Sequence, residues 1–98
     1  MLLPESILNS LEKEYKAGYY PLIELKLEGN VHFKQLIETI QSYYNTPYTI
    51  IKLKLEYIGK ANFGGLLILL KGSADQNELV LRYFKQSNIE NKVLGYAA

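Results

Sequence analysis

Gly64 and Gly65, in the run Asn62-Phe63-Gly64-Gly65-Leu66-Leu67, are the residues most open to close approach by a ligand. Without a Cβ they let the backbone turn sharply, or let another group come near the chain. They are not a phosphate loop, because no helix opens after them and no Gly-Lys-Ser/Thr follows. Residues for acid–base or nucleophilic work are scarce. His32 is the single histidine, with no nucleophile or acidic orienter near it in sequence, and reads as a solvent-facing residue at a helix start. The ten carboxylates are dispersed, no pair of them spaced as an acid/base couple or a metal site. Cysteine is absent, which removes disulfides, thiolate metal sites and a cysteine nucleophile. No catalytic, cofactor-binding or metal-ligating residue is assigned, so the chemistry left is recognition.

The rest of the composition agrees with that reading. Ninety-eight residues make one small domain. A net charge of +1, with both signs scattered along the chain, provides no footprint for nucleic acid or an anionic membrane. No apolar run reaches bilayer-spanning length, and Met1-Leu2-Leu3-Pro4 lacks the form of a signal peptide, so a soluble intracellular domain is expected.

The elements that must hold Gly64 and Gly65 follow from periodicity. Residues 4–15 predict a short amphipathic helix, with Pro4 in the first turn and Ile7, Leu8, Leu11 and Tyr15 on one stripe. Residues 21–28 alternate, Ile23, Leu25 and Leu27 against Glu24, Lys26 and Glu28, and predict a half-buried strand turned by Gly29-Asn30. Residues 31–44 carry Phe33, Leu36, Ile37, Ile40 and Tyr44 at helical spacing, until Pro47 forces a stop. Residues 48–58 alternate again: Ile51, Leu53, Leu55 and Tyr57 face one way, Lys52, Lys54 and Glu56 the other. The lysines and Pro47 suit an edge strand.

Gly59-Lys60-Ala61-Asn62 is a hairpin-sized link to the apolar run Leu66–Leu70, which reads as a central strand closed by Gly72. Asp75 with Glu78 three residues on suggests a helix cap, followed by a stripe of Leu79, Val80, Tyr83 and Phe84. A last strand runs over 89–96, with Ile89 and Val93 on one face and Leu94 and Tyr96 on the other. Of the nine tyrosines, Tyr15, Tyr44, Tyr57 and Tyr83 fall on inner stripes and read as core-edge packing.

Strand-helix-strand-strand-helix-strand is the split βαβ order of ferredoxin-like α+β folds. With right-handed crossovers it gives a two-layer βαββαβ sandwich with an antiparallel sheet in the order 4-1-3-2, plus an extra N-terminal helix. Two functions of that fold are excluded at this stage. An RNA-recognition module carries stacking aromatics on its central strands, where this chain has Leu67 and Leu69. An acylphosphatase-like site needs an arginine after the first strand, and the only arginine, Arg82, lies in the second helix.

Three stretches carry a family resemblance. Leu22 to Gly29 resembles the opening strand of the NIL domain, Asn62-Phe63-Gly64-Gly65-Leu66-Leu67 its Phe-Gly-x-Leu signature, and Asn91-Lys92-Val93-Leu94-Gly95-Tyr96 its terminal Val-Glu-Val-Leu-Gly-Tyr. The likeness runs over residues 21–97, so residues 21–98 are taken as the domain and residues 1–20 as a helix or linker from a parent chain. The resemblance implies a regulatory domain of the ATP-binding subunit of a methionine ABC importer, sensing intracellular L-methionine and inhibiting transport. The domain itself would not be an enzyme. ATP and magnesium would belong to the parent ATPase domain, and the partners would be that domain and a membrane permease, at the cytoplasmic face of the membrane. The alternatives are a structural dimerisation module without ligand response and an accessory NIL domain of a ferredoxin-type protein.

Carried over by position, the resemblance puts the methionine site at Thr49, Ile50 and Ile51, with Phe63, Gly64 and Gly65 beside them. Where the family commonly has asparagine, this chain has Thr49, which keeps one hydroxyl and loses the amide's paired donor and acceptor. Ile50, Ile51 and Phe63 would form the apolar slot a thioether needs. The unpaired edge of the second strand predicts a twofold homodimer. The apolar face of Leu22, Leu67, Leu69, Leu94 and Tyr96 would be covered by the N-terminal segment or by a partner.

Overall fold

The computed structural model describes residues 3–29 and 31–98, so the Asn30 half of the expected Gly29-Asn30 turn lies outside the described residues. In chain order the elements are α1 (Glu5–Ser10), β1 (Tyr20–Gly29), α2 (Phe33–Glu38) running into a π-helical turn (Thr39–Tyr43), β2 (Tyr48–Ile58), β3 (Ala61–Leu70), α3 (Ala74–Gln86) and β4 (Asn91–Ala97). The strands form one antiparallel sheet in the order β2-β3-β1-β4, which is the expected 4-1-3-2 counted from the opposite edge.

The ladder sorts the apolar run of β3 by parity. Leu66, Ile68 and Leu70 face the helices, where they pack with Ile23, Leu25 and Leu27 of β1, Leu36 and Ile40, and Val80 and Phe84 of α3. All of these are at most 2% exposed. Leu67 and Leu69 face the opposite side, also buried. There Leu22 and Leu69 form a second cluster with Leu11, against which Leu3, Leu8 and Leu94 pack. Of the two covers expected for this face, the N-terminal segment is the one observed over Leu22 and Leu69. Burying a leucine contributes roughly 1.5–3 kcal/mol, so this segment is part of the domain's packing.

Several expected details differ. The N-terminal helix is shorter than 4–15, ending at Ser10, because Leu11 turns extended to reach the sheet and Glu12 forms a bridge with Tyr96. The helix from residue 31 starts at Phe33, and from Thr39 it widens into the π-helical turn, where the Tyr44 N–H donates to the Thr39 carbonyl. Asn45 then takes the left-handed conformation and Thr46 is buried, its N–H donating to the Ile40 carbonyl. The cap of α3 is Ser73 with Gln76, a reciprocal capping box, and Asp75 sits inside the first turn. Leu79 is exposed, and its expected place on the inner stripe goes to Asn77.

Both edge strands carry a bulge. In β2, Ile50 pairs with Ile68 and Lys52 with Leu67, so Ile51 is an extra residue and drops out of phase with Leu53, Leu55 and Tyr57. In β4, Gly95 pairs with Leu22 and Val93 with Ile23, so Leu94 is the extra residue. Tyr96 pairs with Pro21 and shares the helix face with Val93, which corrects its placement beside Leu94. Tyr15 and Tyr57 are exposed rather than at the core edge, because α1 stops short of Tyr15 and nothing in the core cluster reaches Tyr57. Ile89 is buried in the core, but it precedes β4 and is not part of it.

Candidate functional site

The β2–β3 hairpin positions every residue expected at the site. Its turn is Gly59-Lys60, with Gly59 at φ +64°, the positive φ that a two-residue hairpin needs at its first position. Counting from that turn, Glu56 pairs with Phe63, Leu55 with Gly64, and Lys54 with Gly65. At the other end, Thr49 pairs with Leu69 and Ile50 with Ile68. Thr49 therefore stands five residues from Gly64 along β3, roughly 17 Å, and Ile50 three residues from Gly65, roughly 10 Å. One chain does not bring Thr49, Ile50 and Ile51 together with Phe63, Gly64 and Gly65.

Each half has its own character. The Thr49 half lies on an edge strand that pairs only with β3 in the sheet, and it is apolar: Ile50 is 37%, Ile51 49% and Leu53 39% exposed. At the Gly64 half, a Cβ on Gly64 would run into the Lys54 carbonyl oxygen, so this glycine is required by the close approach of β2. Gly64 and Gly65 both join the lining of a groove of about 630 Å³, on the sheet face away from the helices. Lys26 of β1 and Lys54 of β2 flank Gly65 in the ladder, as Glu28 and Glu56 flank Phe63. Lys92 and Glu90 line the side nearest β4. Lys54 Nζ lies 3.8 Å from Glu56 Oε1, and Lys26 Nζ lies 3.4 Å from Glu28 and 3.9 Å from Glu90. All these side chains are more than half exposed, so the pairs are weak.

The sequence reading did not place Lys26, Lys54 and Glu56 beside Gly65 and Phe63, because their alternation marks them as an ordinary solvated face. The signal that would have found them is the hairpin turn: pairing outward from Gly59-Lys60 sets Lys54 beside Gly65. His32 is exposed at the start of α2 and makes no capping hydrogen bond. Among the described residues no cluster of three His, Cys, Asp or Glu side chains is arranged to hold a metal. Also among the described residues, no helix is long and apolar enough to cross a membrane.

On the helix side, Tyr43, Tyr44, Tyr83 and Phe84 form a chain of ring contacts at 4.8, 5.5 and 5.7 Å. Desolvation, then the neighbouring phenols of Tyr43 and Tyr83, hold the Tyr44 phenol above its ordinary value.

A family model described as NIL domain matches residues 21–93. Over 94 residues the chain is 33% identical to the methionine import ATP-binding protein MetN of Vibrio cholerae and 30% identical to that of Vibrio vulnificus, each time using 96% of this chain. It is 22% identical to MetN of Escherichia coli K12. The chain spans 27% of the length of each of these relatives. Among solved structures, it resembles the C-terminal domain of an ABC transporter ATP-binding protein from Enterococcus faecalis. The TM-score is 0.69 at 18% identity, covering 96% of this chain and 98% of the other. That likeness concerns the fold.

Proposed function

This chain belongs to the NIL domain family, and from that premise we propose that it is a regulatory, non-catalytic domain of a methionine ABC importer. It senses L-methionine on the cytoplasmic side and inhibits transport. ATP and magnesium belong to the ATPase domain of the parent protein, which couples this domain to a membrane permease. The Vibrio and Escherichia coli relatives, methionine import ATP-binding proteins, support this over a ferredoxin-type parent.

The observation that carries the reading is the unpaired outer edge of β2, where exposed Ile50, Ile51 and Leu53 sit beside Thr49. Unpaired backbone groups flanked by apolar side chains favour a second strand. A second copy supplies one, and twofold antiparallel pairing of the two β2 edges centred on Lys52 would set Ile51 of each copy against Leu53 of the other. Ile51 and Leu53 from both chains would then enclose an apolar slot between the paired domains, with Thr49 at its margin. The apolar side chains make the adaptable slot a thioether needs. A ligand that binds the paired arrangement better than the unpaired one shifts the equilibrium toward it, which is the physical requirement for regulation.

Calorimetry of the chain with L-methionine, with light scattering on the same sample, tests this. The expected result is a dimer that binds methionine. A monomer at high micromolar concentration, with no heat at millimolar methionine, would sink the reading. A dimer that stays silent to methionine would leave a structural pairing module.

A further inference from the structure

We propose that the pocket between Tyr15, Tyr96 and Glu78 is an aromatic cage for an organic cation, an alkylammonium head held by two tyrosine rings and a carboxylate. It lies at the β4 edge, on the far side of the sheet from β2, and does not depend on the methionine reading.

Three elements build the pocket. Tyr96 of β4 pairs with Pro21 of β1, and the two form its floor on the helix face of the sheet. On α3, Ala74, Asn77, Glu78 and Leu81 recur at i, i+3, i+4 and i+7, so they share one stripe of the helix and form a wall over that floor. Tyr15 closes the outer side. The bridge from Glu12 to Tyr96 holds its segment along β4, and its ring meets the Tyr96 ring edge to face, with centroids 6.0 Å apart and planes at 85°. The two rings are thus walls of a right-angled corner. The volume enclosed, about 230 Å³, has room for a trimethylammonium-sized head.

The lining selects the sign of the charge. An aromatic face is the negative part of the ring's quadrupole and attracts a cation within about 6 Å of the centroid. Asn77 uses both amide atoms on Gly72 and has little left for a ligand. Among the described residues, Glu78 has no ion-pair partner, and Arg82 one turn on stays outside ion-pair distance. No lysine or arginine lines this pocket, whereas in the groove over Gly65 the lysines already face acids. A bound cation would bring the missing positive charge, and an anion would be repelled by the rings and the carboxylate alike. Pro21 and Leu81 add apolar contact, which favours an alkylated ammonium over a hydrated metal ion. The cage also gives a role to Tyr15, which is 60% exposed, lies outside every helix and strand, and packs in neither core cluster.

The test is an NMR titration of the chain that follows the tyrosine ring signals. The compounds are choline, its neutral isostere dimethylbutanol, and Nα-acetyl-lysine amide, which carries a primary ammonium. Choline is expected to shift the Tyr15 and Tyr96 rings at millimolar concentration, and the neutral isostere to leave them still. Tyr15→Leu keeps apolar bulk without a ring face, and Glu78→Gln keeps shape without charge. Each is expected to weaken choline binding at least about threefold without loss of fold, since both side chains are exposed. Lysine amide binding tighter than choline would make the occupant a basic side chain of a neighbouring protein, and the reverse order a small quaternary ammonium compound. Equal shifts from choline and dimethylbutanol would reduce the pocket to an apolar crevice and overturn the inference. So would choline binding that both variants leave unchanged, or rings that none of the three compounds moves.

Discussion

Glu12 and Tyr96 exchange two backbone hydrogen bonds, 3.0 Å from the Glu12 N–H and 2.9 Å from the Tyr96 N–H. That exchange ties the N-terminal segment to the outer edge of β4. Immediately before it, Leu11 lies so close to Gly95 that a Cβ there would stand 2.6 Å from the Leu11 Cβ and 2.9 Å from the Glu12 carbonyl oxygen.

The Gly95→Ala variant is therefore expected to push the segment off the sheet. The cost should be about 1–3 kcal/mol, the range for overpacking a fitted contact. Urea unfolding measures it, and increased binding of a hydrophobic dye would report the uncovering of Leu22 and Leu69. A variant as stable as the parent, with no added dye binding, would mean the segment contributes nothing.

A second prediction concerns Asn77, which is buried and bonds to Gly72 twice: the Gly72 N–H donates to Oδ1 at 3.0 Å, and Nδ2 donates to the Gly72 carbonyl at 3.2 Å. Asn77→Ala leaves both Gly72 groups without these partners and should cost about 1–3 kcal/mol. Exposed Glu78 next to it serves as the control, where Glu78→Ala should change stability much less. Thermal unfolding of the two variants side by side decides whether the two positions differ.

Ile51, the extra residue of the β2 bulge, is half exposed on the edge proposed for pairing. Ile51→Lys is expected to convert the dimer to a monomer in light scattering while leaving the circular dichroism spectrum intact. Retained dimer mass in Ile51→Lys would move the interface elsewhere.

The Tyr44 phenol predicts a pH effect. Its pKa is raised above 10.0 by desolvation and by Tyr43 and Tyr83, so the folded state holds this proton more tightly than the unfolded chain does. Stability from this group is then fully present below pH 10 and lost as pH rises past it. Urea unfolding between about pH 9 and 11 should show that loss, and Tyr44→Phe should make it smaller.

How far the sequence could be read is clearest along β2. Pairing counted outward from Gly59-Lys60 is right from Ile58↔Ala61 to Lys52↔Leu67, then slips by one, because Ile50 and not Ile51 meets Ile68. Alternation reports which residues are apolar, and it carries no mark of an inserted residue that is apolar too. The same blindness put Tyr96 beside Leu94. The α3 cap was misplaced because Asp75-Glu78 and Ser73-Gln76 are both capping patterns in sequence, and only the backbone decides which residue is extended. The strand order was legible, since topology follows from element order and crossover hand. The separation of the two site halves follows from antiparallel pairing alone. Carrying residues over from a family motif hid it, because such a motif names positions without distances.

The N-terminal segment also closes part of one sheet edge. A sheet with two open edges can add neighbours at both sides and grow without end. Here Glu12 occupies the outward backbone groups of Tyr96 on the β4 edge, and that edge is bent at Leu94. Under the pairing proposed above, the β2 edge would be used up in both chains. A further copy arriving at the β4 edge would meet the Glu12 bridge at Tyr96, and full pairing there would require peeling the N-terminal segment away. The segment that covers an apolar face thus also obstructs strand addition at that end of β4.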